Sequence, residues 1–163
     1  MKLASLILLL AVSAFAQAAP PAAEPKPGQT FEVVADSALV AMSQRAAALK
    51  ITGVAVVAYI AGDTTRSWSS KMVVVGKMKE APTEKNRGSN LLAIAYAKAA
   101  EMAETLKDSG QAGRPPMTGE TGWQGGLIKQ GRTGYLIAAF SGGPSAADLK
   151  VSQAGLDVLA GTL

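Results

Sequence analysis

The chain has 163 residues, with 16 Lys and Arg against 12 Asp and Glu, no histidine and no cysteine. Those two absences exclude a Ser-His-Asp triad, a histidine general base, the usual zinc sites and any disulfide staple. The formal charge of +4 is mild and not gathered into a run, so nothing marks a nucleic-acid partner.

Lys2 precedes an apolar run from Leu3 to Phe15, and Ala14-Phe15-Ala16 or Ala16-Gln17-Ala18 follows as a small-residue cleavage site. This pattern predicts that residues 1–18 are a secretory signal peptide, cut near Ala16 or Ala18, and that the protein is periplasmic or secreted. The run is too short to span a bilayer well, so no stable membrane anchor is expected. Residues 19–30 are rich in Pro and Ala and read as a leader, which leaves residues 31–163 as a single domain.

The first helix is expected within Phe31 to Thr52, centred on Asp36 or Ser37 to Lys50. Leu39, Met42, Ala46 and Leu49 form its apolar stripe, and Gly53 is its stop. Val54 to Ile60 has almost no polar residue and predicts a strand buried on both faces. After the turn at Ala61-Gly62-Asp63-Thr64, Arg66 to Val75 returns as its antiparallel partner. Trp68 stands at the polar end of that strand, as a half-exposed packing residue or a ligand-stacking one.

Ser89 or Asn86 is expected to cap a second helix running from Asn90 to about Lys107. Leu91, Ala95, Ala99, Met102 and Leu106 share its apolar face, where the alanines imply close approach to a sheet. Lys98 interrupts this helix as a solvated flank residue or a cation held over a pocket. Residues 108–124 form a long irregular segment, read as a flap, a binding loop or disorder. Arg114, Met117 and Trp123 are its residues able to grip a ligand.

Leu127-Ile128, a turn at Gly131-Arg132, and the apolar run Tyr135 to Phe140 predict a second hairpin. Ser141-Gly142-Gly143-Pro144 ends it. A last helix follows, with Ser145 as cap, Asp148 in a capping-box-like place, and Val151, Ala154 and Val158 facing inward. Such a glycine corner aims free backbone N–H groups off the strand end, a ready seat for an anion. On that basis Lys98→Ala should weaken an anion by about 1 kcal/mol and leave the melting temperature alone. The order α-β-β-α-loop-β-β-α predicts an α+β sandwich: one antiparallel sheet of four to five strands with helices packed on it.

Several pieces in this order resemble the small haem-binding and GlcG-like family. They are Val54-Ala55-Val56-Val57, Lys77-Met78-x-x-Ala81, Ala97-Lys98-Ala99, Gly125-Gly126, Ser141-Gly142-Gly143 with Asp148, and Ala154-Gly155-Leu156. The resemblance covers roughly residues 36–161. It implies a compact sandwich that often assembles into homo-oligomers, and haem binding, with haem degradation in some members.

The expectation is therefore an exported small-ligand-binding protein for haem or a similar flat anionic ligand, held by Ser141, Gly142, Gly143, Lys98, Met78, Arg114 and Trp123. Without His or Cys, iron would fall to Met78, Met117, Tyr59 or Tyr135, and nothing in the sequence chooses among them. The alternative is a non-catalytic structural or interaction oligomer with a vestigial pocket. No pair of acids is set up for general acid–base work. The segments Gly119-x-x-Gly122 and Gly131-x-x-Gly134 lack the Lys-Ser/Thr tail of a phosphate loop.

N-terminal sequencing of the exported protein should begin at Gln17 or Ala19. Intact Met1 would overturn the signal-peptide reading.

Overall fold

A computed structural model describes residues 30–163. The signal-peptide expectation and nearly all of the leader fall outside the described residues. Among those described there are three helices, α1 (Phe31–Ala48), α2 (Leu91–Thr105) and α3 (Ser145–Ala160). Four strands, β1 (Gly53–Ala61), β2 (Trp68–Val75), β5 (Gly126–Gln130) and β6 (Gly134–Ser141), form one antiparallel sheet in the order β2-β1-β6-β5. A two-residue pair, β3 (Lys79–Glu80) and β4 (Ser89–Asn90), leads into α2.

Central strands β1 and β6 explain the apolar runs in the sequence. Helices α1 and α3 cover one face of the sheet, over Ala55, Val57, Leu136, Ala138 and Phe140. Helix α2 covers the other, over Val54, Val56, Ala58, Ile60, Ile137 and Ala139. Strands buried on both faces have no polar side to alternate with. The result is an α+β sandwich, as expected. Ala95 and Ala99 are fully buried on α2, and Met42 is fully buried on α1.

Several local expectations need correction. Gly53 does not stop α1; Lys50 does, in the left-handed conformation (φ 56°). The Lys50 N–H donates to the Ala47 carbonyl and the Ile51 N–H to Ala46, which are the paired bonds of a Schellman stop. Gly53 is instead the start of β1. A Cβ there would run into the Ser141 carbonyl, so the strand end packs too closely for a side chain. Neither Ser89 nor Asn86 caps α2. Asn90 does, its side chain accepting the Ala93 N–H at 3.0 Å. Leu106 lies beyond α2 in the left-handed conformation and is exposed.

The inward stripe of α3 is turned by about one residue, to Val151, Ser152, Gly155 and Leu159. Gly155 faces α1: a Cβ added there would come within 2.5 Å of Met42 Sδ. A small residue at that point lets the two helices meet.

Phe140 is fully buried between β6 and the α1–α3 layer. Phe140→Ala should cost about 3–5 kcal/mol in equilibrium denaturation, as for other buried aromatics.

Candidate functional site

The glycine corner lies where β6 ends beside the start of β1. Gly142 has φ 150°, and a Cβ on it would collide with the Thr52 carbonyl and Gly53, so glycine is required there. Pro144, not Ser145, is the N-cap of α3. Its carbonyl accepts the Ala147 and Asp148 N–H groups, and Ser145 makes no capping bond.

The Gly143 donor expected at this corner is already engaged. Asp148, in the first turn of α3, turns its Oδ1 back to accept the Gly143 N–H at 2.9 Å. Its Oδ2 accepts from Lys98 Nζ at 3.0 Å, and the same Nζ donates to the Phe140 carbonyl at 2.8 Å. Lys98 and Asp148 are each 2% exposed. Lys98 is thus neither a solvated flank residue nor a cation waiting over a pocket. It reaches from α2 on one face of the sheet to α3 on the other.

Burial pushes the Lys98 ammonium below its ordinary value, against the pull of Asp148. Burial likewise pushes the Asp148 carboxyl up, against Lys98 and the Gly143 and Gly142 N–H groups. Gly125 passes directly over the pair. At φ 131° any Cβ on it would meet Lys98 Nζ and come within 2.8 Å of Asp148 Cβ. The Gly125 carbonyl accepts from Ser152 Oγ at 2.7 Å and from the Phe140 N–H at 3.1 Å, which fixes it in place.

Five of the seven expected ligand residues, Ser141, Gly142, Gly143, Lys98 and Trp123, border one cavity of about 290 Å³ beside this corner. Met78 and Arg114 are not among its lining residues. Met78 is exposed and borders a separate hollow against β3 and β4. Arg114 is taken up inside its own loop: it binds both oxygens of Glu120 at 2.7 and 2.8 Å, and Glu104 Oε2 at 2.6 Å. The Arg114 guanidinium lowers the Glu120 carboxyl to about 2. The Gly126 N–H donates to Ser109 Oγ at 2.8 Å and the Ile128 N–H to Asp108 Oδ1 at 3.0 Å, which ties residues 108–124 to β5. This segment is therefore a pinned loop.

Haem does not fit the corner. The cavity is small for it, and the Asp148 carboxylate occupies the place a propionate would take. Of the four candidate iron ligands, Tyr59 spends its hydroxyl on Thr133 and its ring on Phe31, at 6.1 Å between centroids. Met117 is exposed on the loop, and Tyr135 packs against the α2-side core. No group of three His, Cys, Asp or Glu residues suited to a metal ion occurs among the described residues.

The sequence reading missed a larger groove. It has about 610 Å³, between residues 63–68 and the C-terminal half of α2. Trp68, Ala100, Ala103 and Leu106 provide its apolar lining, and Arg66 is the one cation. Thr65 Oγ1 donates to the Ala103 carbonyl at 2.7 Å and holds the turn against the helix. Trp68 leans on Tyr96 with ring centroids 6.3 Å apart. The sequence signal was Trp68 at a strand end beside Arg66; the small residues that make room for a ligand come from a helix far along the chain.

Because the corner charges balance each other in a dry setting, removing one strands the other. Lys98→Met should destabilise the fold by about 3–5 kcal/mol, and Lys98→Met with Asp148→Leu should recover most of that loss in urea denaturation. This replaces the expectation that Lys98→Ala leaves melting unchanged.

No protein-family model, curated protein or solved structure matches this chain, so the chemistry of its cavities rests on their own residues.

Proposed function

We propose that this is an exported small-ligand-binding protein whose ligand is flat and largely apolar, haem or a molecule of similar shape with a carboxylate at its edge. The observation that carries this is the groove of about 610 Å³ beside Trp68. Its volume falls within the range of about 300–1,000 Å³ typical of small-molecule sites. The Trp68 indole is half-buried and braced by Tyr96, so it offers a face to a planar ligand with little loss of freedom. Ala100 and Ala103 keep the helix wall low, and exposed Arg66 stands ready for a carboxylate. Of the two carboxylates on the lining, Glu104 is already matched by Arg114.

The lining contains no Met or Tyr, and the chain has no His or Cys. The protein would hold the macrocycle rather than its iron. The ordered pieces that resemble the haem-binding and GlcG-like family agree with haem as the probe, and the resemblance itself stays a proposal.

A second reading is the homo-oligomer. Val33 and Val40, 51% and 46% exposed and one heptad apart on the outer face of α1, favour it. Val40→Asp should then shift the mass of the purified domain toward monomer.

Absorbance titration should give saturable binding of haemin and nearly equal affinity for metal-free protoporphyrin. Trp68→Ala and Arg66→Ala should each weaken both by about tenfold. A strong preference for haemin, or affinities untouched by both substitutions, would sink the groove as the seat.

A further inference from the structure

We infer that the corner cavity is a second, separate binding site, and that it takes a neutral polyhydroxylated molecule of monosaccharide size rather than an anion. It lies at the end of the sheet where β6 meets α3, away from the turn that forms the groove. Charge excludes the anion. Asp148 holds the Gly143 N–H and the Lys98 ammonium, and Glu80 on the cavity wall is matched by Lys77 at 3.0 Å. An incoming carboxylate or phosphate would meet a carboxylate and no free cation among the lining residues.

What the walls do present is neutral hydrogen-bonding capacity. Ser141 is 4% exposed as a residue, yet its hydroxyl is not among the sealed, unpartnered side-chain atoms and so keeps its opening on the cavity it lines. By the alternation of β6, Ser141 shares the α2-facing side with Ile137 and Ala139, the side on which the cavity opens. A hydroxyl is both donor and acceptor, and this one, facing the cavity, has both capacities to offer a ligand. Ser89 and Ser145 add two more hydroxyls, and Gln124 adds an amide whose side chain is likewise uncommitted. Trp123, 55% exposed at the rim, supplies a flat apolar surface.

Hydroxyls and an amide arranged around an aromatic plate match a ring that carries O–H groups at its edge and C–H groups on its face. A cavity of about 290 Å³ suits one such ring and not a chain of them.

The test uses the secreted protein carrying Trp68→Phe, so that Trp123 is its only indole. Its emission is followed while D-glucose, D-galactose, D-mannose or myo-inositol is added, with inorganic phosphate as the competing chemistry. A saturable change with at least one of the four, weakened about three- to tenfold by Ser141→Ala at unchanged melting temperature, is the expected result. Should Ser141→Ala fail to fold, Ser145→Ala and Gln124→Ala must produce the same weakening. No saturable change with any of the four, saturation by phosphate instead, or binding indifferent to all three substitutions overturns the proposal. Haemin affinity, read at the groove, should be unaffected by Ser141→Ala whichever way the sugar test falls.

Discussion

The buried contact between Lys98 and Asp148 is the constraint on which the rest of the arrangement depends. Each charge, taken from water alone, would cost several kcal/mol, and each is tolerated because the other charge and a backbone group receive it. That requirement propagates outward. Lys98 must pass the end of the sheet, so Gly125 carries no side chain where the pair lies beneath it. Asp148 must face the corner, which sets the rotation of α3 and brings Gly155 rather than a larger residue against Met42. Among the described residues, this polar contact joins the two helical layers on opposite faces of the sheet.

Seen this way, the corner behaves like an anion site that has been filled from within. The donors that a strand-glycine-helix junction offers are real, but the chain supplies its own carboxylate to one of them, the Gly143 N–H. An internal carboxylate is held by the fold and is always present, so a ligand of like charge has nothing to gain there. The charges that border the cavity beside it, Glu80, Lys98 and Asp148, are all paired, so the expected excess of positive charge is absent there.

Element order and the burial of β1 and β6 were legible because both rest on local pattern: short apolar runs bounded by glycine, and helical stripes such as Leu39, Met42 and Ala46. What escaped was set by partners distant in sequence. Lys98 and Asp148 are 50 positions apart, and nothing near either residue announces the other. Lys50 in the left-handed conformation was hidden because glycine is the usual occupant and Gly53 stood close by. The rotation of α3 was misjudged because Val151, Ala154 and Val158 make a credible stripe by hydrophobicity alone. The true stripe includes Ser152 and Gly155, whose reasons for being inward are a hydrogen bond to the Gly125 carbonyl and a close helix contact. Of the candidate ligand residues, the five around the corner did converge, since Ser141, Gly142 and Gly143 lie at the junction of a strand and a helix that were both located from local pattern, and Lys98 lies within a helix found the same way. Arg114 was lost to two glutamates, one of them within its own loop.

The two ends of the sheet have been built by opposite means. At the corner, glycines bring backbones together until no side chain fits, and a charged pair is packed beneath them, which leaves only the smaller cavity alongside. At the hairpin end, alanines on α2 hold the helix surface back from the turn, Thr65 ties the turn down, and the space between stays open beside Trp68. Small residues thus serve closure in one place and access in the other. The difference is whether backbone or side chain stands opposite them. That is why composition alone, rich in Gly and Ala throughout, did not separate a packed junction from a groove, and why the larger cavity belongs to the end that lacks the recognisable glycine motif.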